Sequence, residues 1–154
     1  MPTEQERLAA QIRQIPAEFR IAITDDDQAM RHRPAQGEWS AIEVLGHMID
    51  KMWIWAGRVE RLMTEERPVL ASYDQDALVR THDYQQADPE KLFEQLGREC
   101  ERFASLVERV PDSALEREGI HEEFGPMTIH RCISLALASS PEHLKQLLAA
   151  QTSA

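Results

Sequence analysis

The sequence predicts an all-α protein, a four-helix bundle with a long crossover between helices two and three. Three observations carry that prediction. Apolar residues recur at three- and four-residue steps in four separate stretches, which is the period of a helix buried along one face. Residues suited to helix starts stand ahead of three of them, at Ser40, Asp88 and Thr128. No segment alternates convincingly as a strand, and there is neither an internal repeat nor a low-complexity tract. Amphipathic helices with no sheet to lie on bury their stripes only against one another.

The first helix carries Leu8, Ile12, Ile15, Phe19 and Ile23 on one face, with Pro16 expected to bend or interrupt it. The acidic run Asp25 to Asp27 and the polar stretch through Gly37 end that pattern. The second helix has the strongest start: Ser40 caps its first turn, Glu43 reaches back to the cap amide, and Trp39 with Val44 suits a hydrophobic staple. Its stripe runs Leu45, Ile49, Met52, Ala56, Val59 and Met63, and the helix ends before Pro68.

Pro68 to Ala87 lacks a clear period and reads as the crossover, with one short helix inside it. Asp88 and Pro89 open the third helix, whose stripe from Leu92 to Val110 stops at Pro111. Thr128 caps the fourth, which carries Ile129, Cys132, Ile133, Ala136 and Leu137. Pro141 lies inside its continuation toward Leu144, Leu147 and Leu148, so a restart is expected there, with Ser140 as cap and Pro141 in the first position.

A chain of 154 residues, 42% hydrophobic and 29% charged, fits one domain over residues 1–154 with a core of its own. A formal charge of -10 repels phosphate backbones, which argues against nucleic-acid binding. Cys100 and Cys132 sit in apolar helical stretches and read as buried reduced thiols. The polar residues Thr3 to Arg7 do not open a signal peptide, and no apolar run is long enough to cross a bilayer, so a cytoplasmic location with no membrane partner is expected.

Chemistry is sparse. Glu43, His47, Asp50 and Ile54 form a second row on helix two, away from its core stripe. The row is either a solvated helix face or a source of metal ligands. His143 is the other candidate, because helix neighbours in a bundle bring such a residue to His47. Two imidazoles begin a site, but catalytic zinc usually takes three protein ligands and a water. His32, His82, His121 and His130 read as surface or loop residues. No zinc-protease, phosphate-loop, dinucleotide or nucleophile-elbow motif is present. Trp53 and Trp55 point to different faces of helix two, and together with Ile54 they call for cover from a second copy, in a homodimer, or from the crossover.

The run Arg33, Pro34, Gly37, Glu38, Trp39, Ser40, Ala41, then Glu43 to His47 with Asp50 beyond, resembles the DinB/YfiT-like superfamily. Gly125, Thr128, His143, Leu144 and Gln146 follow in the order that resemblance expects, so it spans Arg33 to Gln146. It implies a four-helix bundle, often dimeric, with a divalent metal such as zinc or nickel. One histidine on helix two and an H-x-x-x-H pair on helix four would hold the metal. His47 and His143 match the first and last of these positions, and Ser139 stands at the middle one. A neutral hydroxyl binds zinc or nickel less readily than imidazole does, so the implied triad is incomplete unless Asp50 or a water joins it.

The resemblance also implies an activity: a thiol-dependent transferase using a low-molecular-weight thiol such as mycothiol or bacillithiol, or a metal-dependent hydrolase, in stress or detoxification. The alternative expectation is a non-catalytic protein of the same fold that binds a small ligand or serves as a dimeric interaction module.

Overall fold

A computed structural model describes residues 1–154. The first helix, α1, spans Glu4–Ala22 and is capped by Thr3, whose Oγ1 accepts from the Glu6 amide at 3.1 Å. It runs through Pro16 without interruption, so of the bend or break expected there the break does not occur. A mid-helix proline costs about 3 kcal/mol. Ile12, Ile15 and Phe19 on either side of it are buried, at about 1.5–3 kcal/mol each, so the core outweighs the break. One helical turn, α2 (Asp27–Met30), follows on the Asp26 cap.

The second long helix, α3, spans Ala41–Thr64 and begins with the anticipated capping box: the Glu43 amide donates to Ser40 Oγ at 3.3 Å, and the Ser40 amide to Glu43 Oε1 at 3.1 Å. It packs against α5 (Pro89–Glu108), α6 (Ile129–Ala138) and α7 (Ser140–Thr152), while α1 lies along α5. Those contacts make α3 the central helix, and its second row is therefore not a solvated face: Glu43, His47 and Asp50 are all buried. The fourth helix of the bundle is the bent pair α6 and α7. Their joint is Ser139, with Ser140 in the first turn and Pro141 behind it, one residue earlier than the sequence suggested. No side chain caps the restart.

The crossover holds β1 (Val69–Leu70), the expected short helix α4 (Gln75–Thr81) and a 3-10 turn at Tyr84–Gln86. Ahead of α6 lie β2 (Glu118–His121) and β3 (Gly125–Thr128), paired antiparallel, with β1 adding parallel to β2 through Val69 and Ile120. The expectation of no strand is thus corrected by a small three-stranded sheet. Strands of two to four residues are too short to show a period, and their pairing is a contact across about fifty residues of chain. Gly119 marks the approach: a Cβ there would lie 2.6 Å from the Pro68 carbonyl oxygen.

The core is one contiguous cluster of 35 buried residues drawn from all the long helices. Cys100 and Cys132 belong to it as free thiols, as expected, and burial pushes each of them up to about 12. Leu147 is in the core, whereas Leu148 is exposed. No helix is long and apolar enough to cross a membrane.

Candidate functional site

Three groups of the second row on α3 have separate fates. Glu43 is structural: besides the cap, it accepts two hydrogen bonds from Arg33, at 2.8 and 3.0 Å. That ion pair holds its carboxyl below the usual range, although burial works the other way.

His47, one turn on, is 1% exposed and meets His143 of α7 with their Nε2 atoms 3.3 Å apart. The rings cross at 67°, and the Trp39 ring lies 4.7 Å from His47 on another side. Gln146 sits one turn beyond His143, with its Oε1 3.1 Å from His143 Nδ1. An amide oxygen only accepts, so Nδ1 of His143 carries the proton and its Nε2 presents a lone pair toward His47. His47 Nδ1 is buried with no partner. Burial, then the charges of His143 and Lys51, push the His47 imidazole down to about 3. Burial likewise lowers His143. Both rings are neutral near pH 7, the form in which imidazole binds a metal.

Asp50 turns away from this pair. Its Oδ1 accepts from the Tyr84 hydroxyl at 2.6 Å and lies 3.0 Å from His82 Nδ1, and it lines a separate cavity with Ile49, Trp53 and Leu92. The Tyr84 ring rests on α3 at Gly46, where a Cβ would lie 2.1 Å from Tyr84 Cγ.

The histidine pair opens instead into a cavity of about 410 Å³ between α3, α7 and the sheet. Ser139 and His143 form one wall, and Lys51 and Arg58 of α3 another. Trp55, Phe124 and Leu135 supply its apolar surface. His121, read from sequence as a loop residue, lines it too, with Nδ1 accepting from the Glu123 and Phe124 amides at 3.0 and 3.2 Å. His130 lies beside Glu4, and His32 is outside the cavity. The sequence reading missed Lys51, Arg58 and His121. The first two were within reach, since His47, Lys51, Trp55 and Arg58 follow four-, four- and three-residue steps along one face of a helix.

The spacing of the His47–His143 pair suits a divalent ion. Tetrahedral zinc with Zn–N bonds of about 2.0–2.1 Å places two nitrogens about 3.3–3.4 Å apart, which matches the observed 3.3 Å. The pair fits two corners of such a site. No third imidazole, thiol or carboxylate is grouped with it, so a further donor would be a neutral oxygen of the lining such as the Ser139 hydroxyl, a water or a bound molecule.

The fold and the site together define a class: a four-helix bundle with a histidine pair, one ring buried and one half-buried, between its second and fourth helices. The sequence profile of the DinB superfamily matches residues 6–147, and the chain belongs to that superfamily. It is 23% identical over 148 residues to a candidate metal-dependent hydrolase of Bacillus licheniformis, covering 95% of this chain and 84% of the relative. It is 24% identical over 140 residues to YfiT of Bacillus subtilis, covering 88% and 78%. The solved structure of YfiT, described as a probable metal-dependent hydrolase with an unusual four-helix bundle topology, superposes with a TM-score of 0.84 at 21% identity, over 99% of this chain and 91% of that one. At that identity the superposition speaks for the fold.

Proposed function

We propose that this chain is a small-molecule enzyme of the metal-dependent hydrolase or thiol S-transferase type, working in the cavity between α3 and α7. The carrying observation is the convergence of two neutral imidazoles, the buried His47 and the half-buried His143, with Nε2 atoms 3.3 Å apart. The names of the two Bacillus relatives support the metal-dependent reading. His47 and His143 would hold the ion, zinc or nickel by their donor type. When bound, such an ion lowers the pKa of a water or thiol at neutral pH.

The chain's own residues do the rest. Gln146 holds His143 in the tautomer that aims Nε2 into the cavity, and the Trp39 ring limits the rotation of His47. Trp55, Phe124 and Leu135 exclude water from one side of a bound molecule. Neither cysteine can act as nucleophile, because both are buried in the core and held as neutral thiols. In the transferase reading the thiol therefore comes from outside, as a low-molecular-weight cosubstrate.

Ser139 favours a second reading. It stands at the middle position of the triad that the family resemblance implies, and with two imidazoles alone the ion is weakly held. The cavity then binds a small ligand without turnover.

Metal analysis of tag-free protein separates the two. Near-stoichiometric metal, lost in His47→Ala, is the expected result for the enzyme. Absence of metal in the natural protein, together with uptake by Ser139→His, would replace the enzyme with the binding protein.

A further inference from the structure

Lys51 is 3% exposed, lines the same cavity, and its Nζ has no hydrogen-bond partner. Arg58, 6% exposed, lies one turn beyond Trp55 on the same face, held by the Ala71 carbonyl oxygen at 2.8 Å and by the rings of Trp55 and Tyr73. Neither cation forms an ion pair. They are also the only buried Lys or Arg: Arg13, Arg20, Arg33 and Arg61 sit on carboxylates, and the other cations without an ion pair, such as Lys91 and Lys145, are exposed to water. Carboxylates are not scarce, with 27 acidic residues against 17 Lys and Arg. The only acid on the cavity wall is Glu123, exposed at the rim and hydrogen-bonded to the Ser72 hydroxyl. A buried ammonium without a counter-charge is costly, and a strongly acidic protein that keeps one in a cavity leaves its neutralisation to a ligand.

We infer that the molecule this cavity takes is a small organic anion, with its charged group seated at Lys51 Nζ and its apolar part against Trp55, Phe124 and Leu135. The inference names the substrate class of the site assigned above and rests on that assignment of the cavity, but not on whether an ion is present. A carboxylate and a phosphate ester share the required chemistry. About 410 Å³ admits either on a compact apolar body. Arg58 closes the cationic side and strengthens the field that draws the anion in. His47 lies one turn before Lys51 on α3 and His143 faces it from α7, so an anion at Lys51 stands beside the imidazoles where the chemistry would occur.

The test is calorimetric titration of tag-free protein, as purified and again after chelator treatment, with benzoate, phenyl phosphate and the neutral isostere benzamide. The variants are Lys51→Met and Lys91→Met, the second removing an equal charge from the other cavity. The expected result is that at least one anion binds roughly tenfold or more tightly than benzamide, the worth of one charge-assisted contact. The preference survives in Lys91→Met and after chelation, and Lys51→Met abolishes it while remaining folded by circular dichroism. The comparison of anion with isostere in the natural protein needs no variant, so misfolding cannot obscure it. Equal binding of anion and isostere, no binding of either anion, or a preference undiminished in folded Lys51→Met would each overturn the inference. A preference that vanishes with the metal also overturns it, by placing the anion on the ion. Failure of the metal assay with the anion preference intact would count against the proposed enzyme alone.

Discussion

Lys51 opposes folding and, on the reading above, serves binding. Burial alone pushes its ammonium down to about 8 from an ordinary 10.5. The unfolded chain therefore binds the proton more tightly than the folded one, and the penalty is complete below about pH 8. It is relieved as pH rises from about 8 to about 10.5, so this residue makes stability increase over that window. A shift of that size corresponds to about 3 kcal/mol. Lys51→Met, which keeps the length of the side chain and removes the charge, is expected to raise the melting temperature by several degrees at pH 7. The difference from the natural protein should shrink toward pH 10.5, as followed by thermal melts across that range, and a fall in stability at pH 7 would show that the ammonium has a partner. Cys100 and Cys132 give a second residue-scale prediction. With both thiols in the core, neither should react with a disulfide reagent in the native protein, and both should react in denaturant.

Within α3 the same turn serves two sites. Gly46 lets the Tyr84 ring lie flat on the helix, and the Tyr84 hydroxyl then reaches Asp50 one turn further along. On an exposed helix, Gly→Ala stabilises by about 1 kcal/mol. Here the new Cβ would overlap the Tyr84 ring, an overpacking of about 1–3 kcal/mol with the Asp50 hydrogen bond lost as well. Gly46→Ala is therefore expected to lower stability in urea denaturation, and to do so much less in a Tyr84→Ala background. Equal effects in both backgrounds would dissociate the glycine from the tyrosine. His47 follows Gly46 directly and points to the other side, so disturbing Tyr84 should leave metal content unchanged.

For the molecule as a whole, assembly concerns the exposed side of α3. Trp53 is 59% exposed while its neighbour Trp55 is buried beside Arg58, so only one of the two tryptophans is left for the partner that the sequence reading anticipated. We propose that the chain forms a homodimer in which the second copy covers Trp53. Trp53→Glu is then expected to shift the mass measured by light scattering from dimer to monomer with an unchanged melting profile. A natural protein already of monomer mass would remove that placement.

The stripes, caps and breaks of the long helices were legible because each is a local property: a period of 3.6 residues, a Ser40–Glu43 pair, a proline at a start. His47 and His143 were legible as candidates for the same reason, through residue type and helix position. Local pattern did not reveal the strands, whose pairing joins Val69 to Ile120, or the fate of Pro16, which distant packing decides. Nor did it reveal that α3 is central. The row of Glu43, His47 and Asp50 has one spacing in sequence, and only the helices around α3 sent Glu43 to Arg33, His47 to His143 and Asp50 to Tyr84. Lys51 shows the division most clearly: its chemistry is written in the sequence, but the absence of a counter-charge depends on every neighbour and exists only in the folded chain.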